Sequence, residues 1–231
     1  MSYIKKLLAS LKYIIITYIL LYTVIIISCI IYKLIINKSI NTFIHNTLPY
    51  ITIITLTIII IYLYKNNKRK ESRNNYKIIP VFISIGISIS CLLNMIIFKI
   101  FPPVTISKSL SLPLLVISSC LIGPIYEEIL YRYIFLNSLK KFNSSIKAII
   151  INSIIFSLMH FNIKEIFFAF FLSLIINIIY QKYNNILYPI VIHQSANITS
   201  LFLIEYNSQI FLLSIICILI SFEITRNSNK Y

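Results

Sequence analysis

GPIYEEILYRYIFL, residues 123–136, places Glu127, Glu128 and Arg132 inside a run that is otherwise apolar. A charged side chain at the centre of a bilayer costs roughly 2.5–3.5 kcal/mol on the insertion scale. The rest of the chain decides how these charges are to be read, and it is apolar almost throughout. Of 231 residues, 58% are hydrophobic and 12% are charged, and the mean hydropathy is +0.89. A soluble domain carries about twice that charged share. This excludes an ordinary globular enzyme, a disordered tail and a secreted disulfide scaffold. The four cysteines (Cys29, Cys91, Cys120 and Cys217) are scattered and form no C-x-x-C, so neither a disulfide framework nor a thiolate metal site is expected.

Each crossing needs about 20 apolar residues, and the chain divides accordingly. Apolar spans are expected at 13–36, 48–64, 78–98, 109–136, 146–161, 165–181, 186–204 and 209–225. The first is read as an uncleaved span, because its apolar core is too long for a signal peptide and no small-residue cleavage site follows. Gly123-Pro124 lies within the long fourth segment and predicts a kink there. Residues 99–108, with Pro102 and Pro103, read as a turn, and His45 falls in an outer loop. The polar stretch KNNKRKESRNNYK (65–77) reads as a cytoplasmic loop. The net charge of +15 would suit a nucleic-acid binder, but the basic residues sit between apolar runs. With the N-terminus inside, fifteen Lys and Arg fall on cytoplasmic segments. Lys38, Lys99, Lys108 and Lys164 fall outside, with Lys33 near a span end. That asymmetry orients membrane helices. The expected fold is an all-α membrane protein, a polytopic bundle of about eight transmembrane helices with both termini cytoplasmic. It forms one transmembrane domain over 1–231 in a cell membrane. Within it lie N-terminal spans without a signature (1–105), a core carrying the informative residues (109–204) and a last span (209–225).

Six acids occur, all Glu, and two of them stand side by side in the fourth segment. Glu128 and Arg132 are i,i+4 neighbours and can pair on one helix face. Glu127 lies about 100° around an α-helix and is left as the carboxylate without a local cation. Phe156 and His160 share a face in FSLMH, and His193 and Asn197 share one in PIVIHQSAN. On a rise of about 1.5 Å per residue, Glu127, His160, His193 and Asn197 all reach the middle third of the membrane.

These residue types suit hydrolysis by an activated water. Glu127 would take the proton, His160 would help hold the water, and His193 with Asn197 would donate to the developing oxyanion. Aspartyl chemistry is excluded because no Asp occurs, and H-E-x-x-H is absent. Neither Gly flanks a serine as a rhomboid-like mechanism requires. A metal version would use Glu127, His160 and His193 around an ion such as Zn²⁺. The metal-free version is favoured because no i,i+4 His pair pre-forms a site, so no cofactor is expected.

The order E-E-x-x-x-R, F-x-x-x-H, H-x-x-x-N on successive segments resembles the CPBP family, the CAAX-protease and bacteriocin-processing (Abi) proteins. The match is carried by Glu127, Glu128 and Arg132, by Phe156 and His160, and by His193 and Asn197. The resemblance implies a helical intramembrane endopeptidase of glutamate or metallo type. Glu127 and His160 would act on the water, and His193 and Asn197 on the oxyanion. Glu128, Arg132 and Phe156 would support them. Tyr133 stands where many members carry a small residue, which implies a narrower cavity. The expected partners are membrane lipids and a hydrophobic or lipidated peptide substrate, with no nucleic acid. CAAX-type processing, peptide maturation and bacteriocin self-immunity are all compatible, and oligomeric state is left open. Two other readings compete: a proton-coupled transporter using Glu127 and His160 as a relay, and a non-catalytic immunity or scaffold protein of the same fold.

Overall fold

The computed structural model describes residues 2–36, 43–44, 47–101, 112–160, 162–203 and 205–227. Among them eight long helical runs follow one another, and no strand occurs. Helix α1 is Tyr3–Ile31, continued by a π turn at Tyr32–Ile36. Helix α2 is Leu48–Asn66, and α3 is Ile79–Ile100 with a 3₁₀ lead-in at Tyr76–Ile78. Helix α4 runs through residues 112–139. Then come α5 (Ser145–Leu158), α6 (Ile163–Tyr183), α7 (Leu187–Phe202) and α8 (Ser208–Asn227). His45 and most of the expected turn at 99–108 lie outside the described residues.

Six of these runs are long and apolar enough to cross a membrane: α1, α2, α3, α4, α6 and α8. The chain is an all-α, multi-pass membrane protein. Two expected spans are shorter than read. The 14 residues of α5 and the 16 of α7 reach only about 21 and 24 Å at the α-helical rise, against a hydrocarbon core of about 30 Å. Helix α5 stops at Leu158 because Asn162 caps the next helix, its side chain accepting the Lys164 N–H at 3.0 Å. Asn162 followed by Glu165 is the helix-start spacing of a capping box. That signal places His160 in a turn rather than inside a span.

The chain divides into two compact units, Met1–Arg69 with Ser107–Phe142 and Lys70–Ile106 with Asn143–Tyr231. In the first, α1 buries a narrow stripe, Ser10, Ile14 and Thr17, at helical spacing. Half of its other side chains are exposed Ile, Leu and Tyr, a surface suited to lipid. Its small polar residues reach α4: Ser10 Oγ meets Ser138 Oγ at 2.8 Å, and the Tyr126 hydroxyl donates to Thr17 Oγ1 at 3.2 Å. Hydroxyl contacts of this kind hold membrane helices where lipid offers no hydrophobic drive. From α2, Tyr64 tilts against Tyr133 at 5.4 Å, and the Arg69 N–H just beyond it donates to the Tyr133 hydroxyl at 2.6 Å. Tyr133 is thus tied to the end of α2, a packing role that the family resemblance did not suggest.

In the second unit, Ile78, Phe82, Ile85, Ile89 and Leu93 form one stripe along α3 and its lead-in. It packs with Leu172, Ile176 and Ile179 of α6 and with Tyr188, Ile192 and Ala196 of α7. Helix α7 approaches closely at Gly86, where a Cβ would overlap Ser195 Oγ and the Ile192 carbonyl. Only glycine permits that approach, and α7 carries His193 and Asn197. Gly86→Ala is expected to cost about 1–3 kcal/mol through overpacking, read as a lowered Tm of the purified protein in detergent. An unchanged Tm would show that the two helices can separate freely.

A strap from the polar stretch holds the start of α7. Ser72 N–H donates to the Asn184 carbonyl at 3.0 Å, and the Asn185 amide donates to Ser72 O at 3.1 Å and Asn74 Oδ1 at 2.6 Å. Glu71 Oε1 accepts the Ile186 N–H at 3.2 Å, one of the donors a helix start leaves unmet. Burial pushes the Glu71 carboxyl above its ordinary value, and the Ile186 hydrogen bond opposes that rise. Asn184 ends α6 in the left-handed region at φ 46°, which Asn tolerates better than most residues.

Candidate active site

Helix α4 is not a uniform α-helix. A π stretch at Val116–Ile122 leads into an α segment, Gly123–Glu128, and a second π stretch follows at Ile129–Leu136. The expected interruption at Gly123-Pro124 therefore takes the form of a change in pitch. The Gly123 N–H bonds the Ser118 carbonyl five residues back, and a Cβ at Gly123 would lie 2.9 Å from that oxygen. Such wide turns inside helices recur at functional sites, and here they bracket the two glutamates.

Glu128 and Arg132 form the expected pair, Oε1 to Nη1 at 3.1 Å, with both side chains fully buried. Glu127 is half-buried on the same α segment. Its expected separation from any cation is corrected here: the Arg132 guanidinium lies in the field of Glu127 as well as of Glu128. The physical reason is pitch. A π turn brings residue i near i+5 rather than i+4, and Arg132, the fifth residue after Glu127, lies in the π stretch beginning at Ile129. Tyr18, Tyr126 and Tyr131 also lie within electrostatic reach of Glu127.

In the second unit, Phe156 brings the motif histidines together. Its buried ring meets His160 edge-on at 5.2 Å and His193 edge-on at 6.0 Å. His160 sits in the turn after α5, held by its N–H to Ser157 O at 3.0 Å. Its Nδ1 lies 3.2 Å from the Phe156 carbonyl. With the proton on Nδ1, that contact is a hydrogen bond and Nε2 keeps its lone pair for a water or substrate proton. His193 is buried in α7, and Asn197 follows one turn later, half-buried. Phe156 thus contacts both imidazoles.

Neighbouring polar groups anchor the Asn197 end of α7. Ser90 Oγ donates to the Ala196 carbonyl at 2.8 Å and meets Ser200 Oγ at 2.8 Å, and the Asn94 amide donates to Ser200 Oγ at 2.9 Å. Reading the sequence did not find these residues. The available signal was Ser90 and Asn94 at i,i+4 spacing in an apolar run, where unpartnered polar groups are expensive. Among the described residues, no three His, Cys, Asp or Glu side chains gather as a metal-ligand set.

Comparison with known proteins falls on these elements. The Rce1-like family, described as "Type II CAAX prenyl endopeptidase Rce1-like", matches residues 109–199. That likeness covers under half of the chain. The segment holds all seven motif residues and stops within α7. A Bacillus subtilis (strain 168) protein named "Putative membrane peptidase YdiL" is 30% identical over 87 residues, 38% of this chain and 36% of that protein. The match therefore spans little more than a third of the relative's length. No solved structure matches the chain. Helices α1 to α3 lie outside the matched residues, so Gly86 and the α1 tyrosines are features of this chain that the match does not cover.

Proposed function

We propose that this chain is an intramembrane endopeptidase that hydrolyses a peptide bond of a hydrophobic or lipidated peptide. In this reading Glu127 takes a proton from water, and His160, through Nε2, helps hold that water. The water oxygen bonds the scissile carbonyl carbon, and His193 and Asn197 donate to the oxygen that becomes negative. The C–N bond then breaks, and the proton held by Glu127 passes to the leaving amine. Glu128 binds Arg132 and Phe156 positions the imidazoles. The observation that carries the reading is the edge-on engagement of both motif histidines by the one Phe156 ring. A packing histidine needs no second imidazole against the same ring.

The CAAX description of the matching family makes a farnesylated peptide the first substrate to try. The purified chain in liposomes is expected to cleave it, and His193→Ala is expected to lower the rate by about 10²–10³-fold, the usual loss for an oxyanion donor. Cleavage is expected to survive a chelator. Loss on chelation with recovery on added Zn²⁺ would replace the glutamate-base mechanism by a metal one. Solute uptake by the same liposomes without peptide cleavage would support the transporter reading instead.

A further inference from the structure

In the first unit α1 brings a second set of polar groups to Glu127, and donor accounting there singles out one side chain. The Thr17 hydroxyl donates to its own helix, to the Tyr13 carbonyl at 2.8 Å or the Ile14 carbonyl at 3.0 Å. The Tyr126 hydroxyl donates to Thr17, and the Tyr131 hydroxyl is directed at the Tyr18 oxygen, 3.5 Å away. Tyr18 therefore accepts a hydrogen bond from Tyr131, while no acceptor among the described residues takes its own O–H. A phenol has one O–H to give, and in an apolar setting that donor seeks a partner. The phenol lies against the α4 residues that flank Glu127: its ring meets Tyr126, one residue before, and its oxygen meets the hydroxyl of Tyr131, four residues after, with the Glu128–Arg132 pair on the same helix. The ring itself is fixed, edge-on to Tyr126 at 6.3 Å and stacked on Tyr22 at 6.4 Å, and is half-buried where Tyr126 and Tyr131 are fully buried.

We infer that Tyr18 is a positioning residue for Glu127, its phenol O–H donating to the carboxylate across one water and fixing where the carboxylate oxygens point. Tyr131, four residues after Glu127, orients that phenol by donating to it. The inference rests on the reading of Glu127 as the base. It also gives α1, which lies outside the residues matched by the family, a part in the site. The alternative is that Tyr18 only packs.

Tyr18→Phe keeps the ring and removes the donor. In liposomes kcat for the farnesylated peptide is expected to fall by about tenfold or more, the worth of one hydrogen bond to a charged group. KM is expected to stay within about twofold, since a lost ground-state contact would raise KM instead. Tyr22→Phe, which keeps the stacking on Tyr18, is expected to change neither. A second readout does not need activity. In ¹³C-glutamate-labelled protein, the infrared band of the Glu127 carboxylate is identified by its loss in Glu127→Gln, and it is expected to shift in Tyr18→Phe but not in Tyr22→Phe. A stationary band overturns the inference, whatever the cleavage assay gives. A shifted band with unchanged kcat overturns the positioning role. A shifted band in a parent chain that cleaves no peptide overturns the peptidase reading and leaves the contact between Tyr18 and Glu127 standing.

Discussion

Glu127→Gln is expected to lower cleavage of a farnesylated peptide in liposomes by about 10²–10⁴-fold, the range a positioned general base supplies, while the protein still inserts and folds. The substitution exchanges one carboxylate oxygen for an amide nitrogen at nearly constant volume, so packing on α4 changes little. Glu127 is half-buried, and its loss leaves Arg132 still bonded to Glu128 at 3.1 Å, so no buried cation is stranded. What disappears is the ability to accept a proton. The loss should therefore fall on kcat and kcat/KM alike, the pattern for an interaction made only in the transition state. Glu127→Asp separates position from chemistry. It keeps the carboxylate but withdraws it by one methylene, so activity between that of Gln and the parent is expected. Full cleavage by Glu127→Gln, measured by mass spectrometry of the released peptide, would remove this residue from the reaction. Equal loss in Glu127→Gln and in a packing control such as Tyr64→Phe would point to general disruption instead.

The sequence carried the helices and the motif better than it carried the local geometry. Apolar length located the eight long helical runs among the described residues, because a bilayer forces the backbone to satisfy itself within each segment. It overestimated α5 and α7, since hydropathy continues across the turn containing His160, whereas the capping signal at Asn162 and Glu165 ends the helix. Motif spacing identified Glu128 with Arg132 and Phe156 with His160, since an i,i+4 neighbour is a property of the helix alone. It misjudged Glu127 because the shift to π pitch at Ile129 has no counterpart in a 100° helical wheel. Gly86 and Tyr18 were out of reach for a different reason: each acts through a partner more than 100 residues away in the chain, Ile192 and Ser195 for one and Tyr131 for the other. Spacing along one helix cannot reveal a contact between two.

Arg132→Met is expected to destabilise the protein by about 3–5 kcal/mol, the usual cost of stranding one member of a buried ion pair. Its guanidinium and the Glu128 carboxylate are both fully buried, so removing either leaves the other charged in an apolar setting or forces it to neutralise. Glu128→Gln alone should do similar damage by stranding the arginine. The double variant Glu128→Gln/Arg132→Met removes both charges and should recover a large part of the loss, because neither charge is then left buried without its partner. Thermal melts of the three variants in one detergent give the coupling energy directly. Additive losses would show that the pair contributes through separate contacts rather than through its charges. Cleavage by the double variant then distinguishes support from chemistry. If Glu128 and Arg132 only brace α4, a refolded double variant keeps measurable activity, lowered to the extent that the Arg132 field no longer reaches Glu127. If the double variant melts like the parent yet cleaves nothing, the field of Arg132 on Glu127 is itself required, and the buried pair belongs to the reaction as well as to the helix.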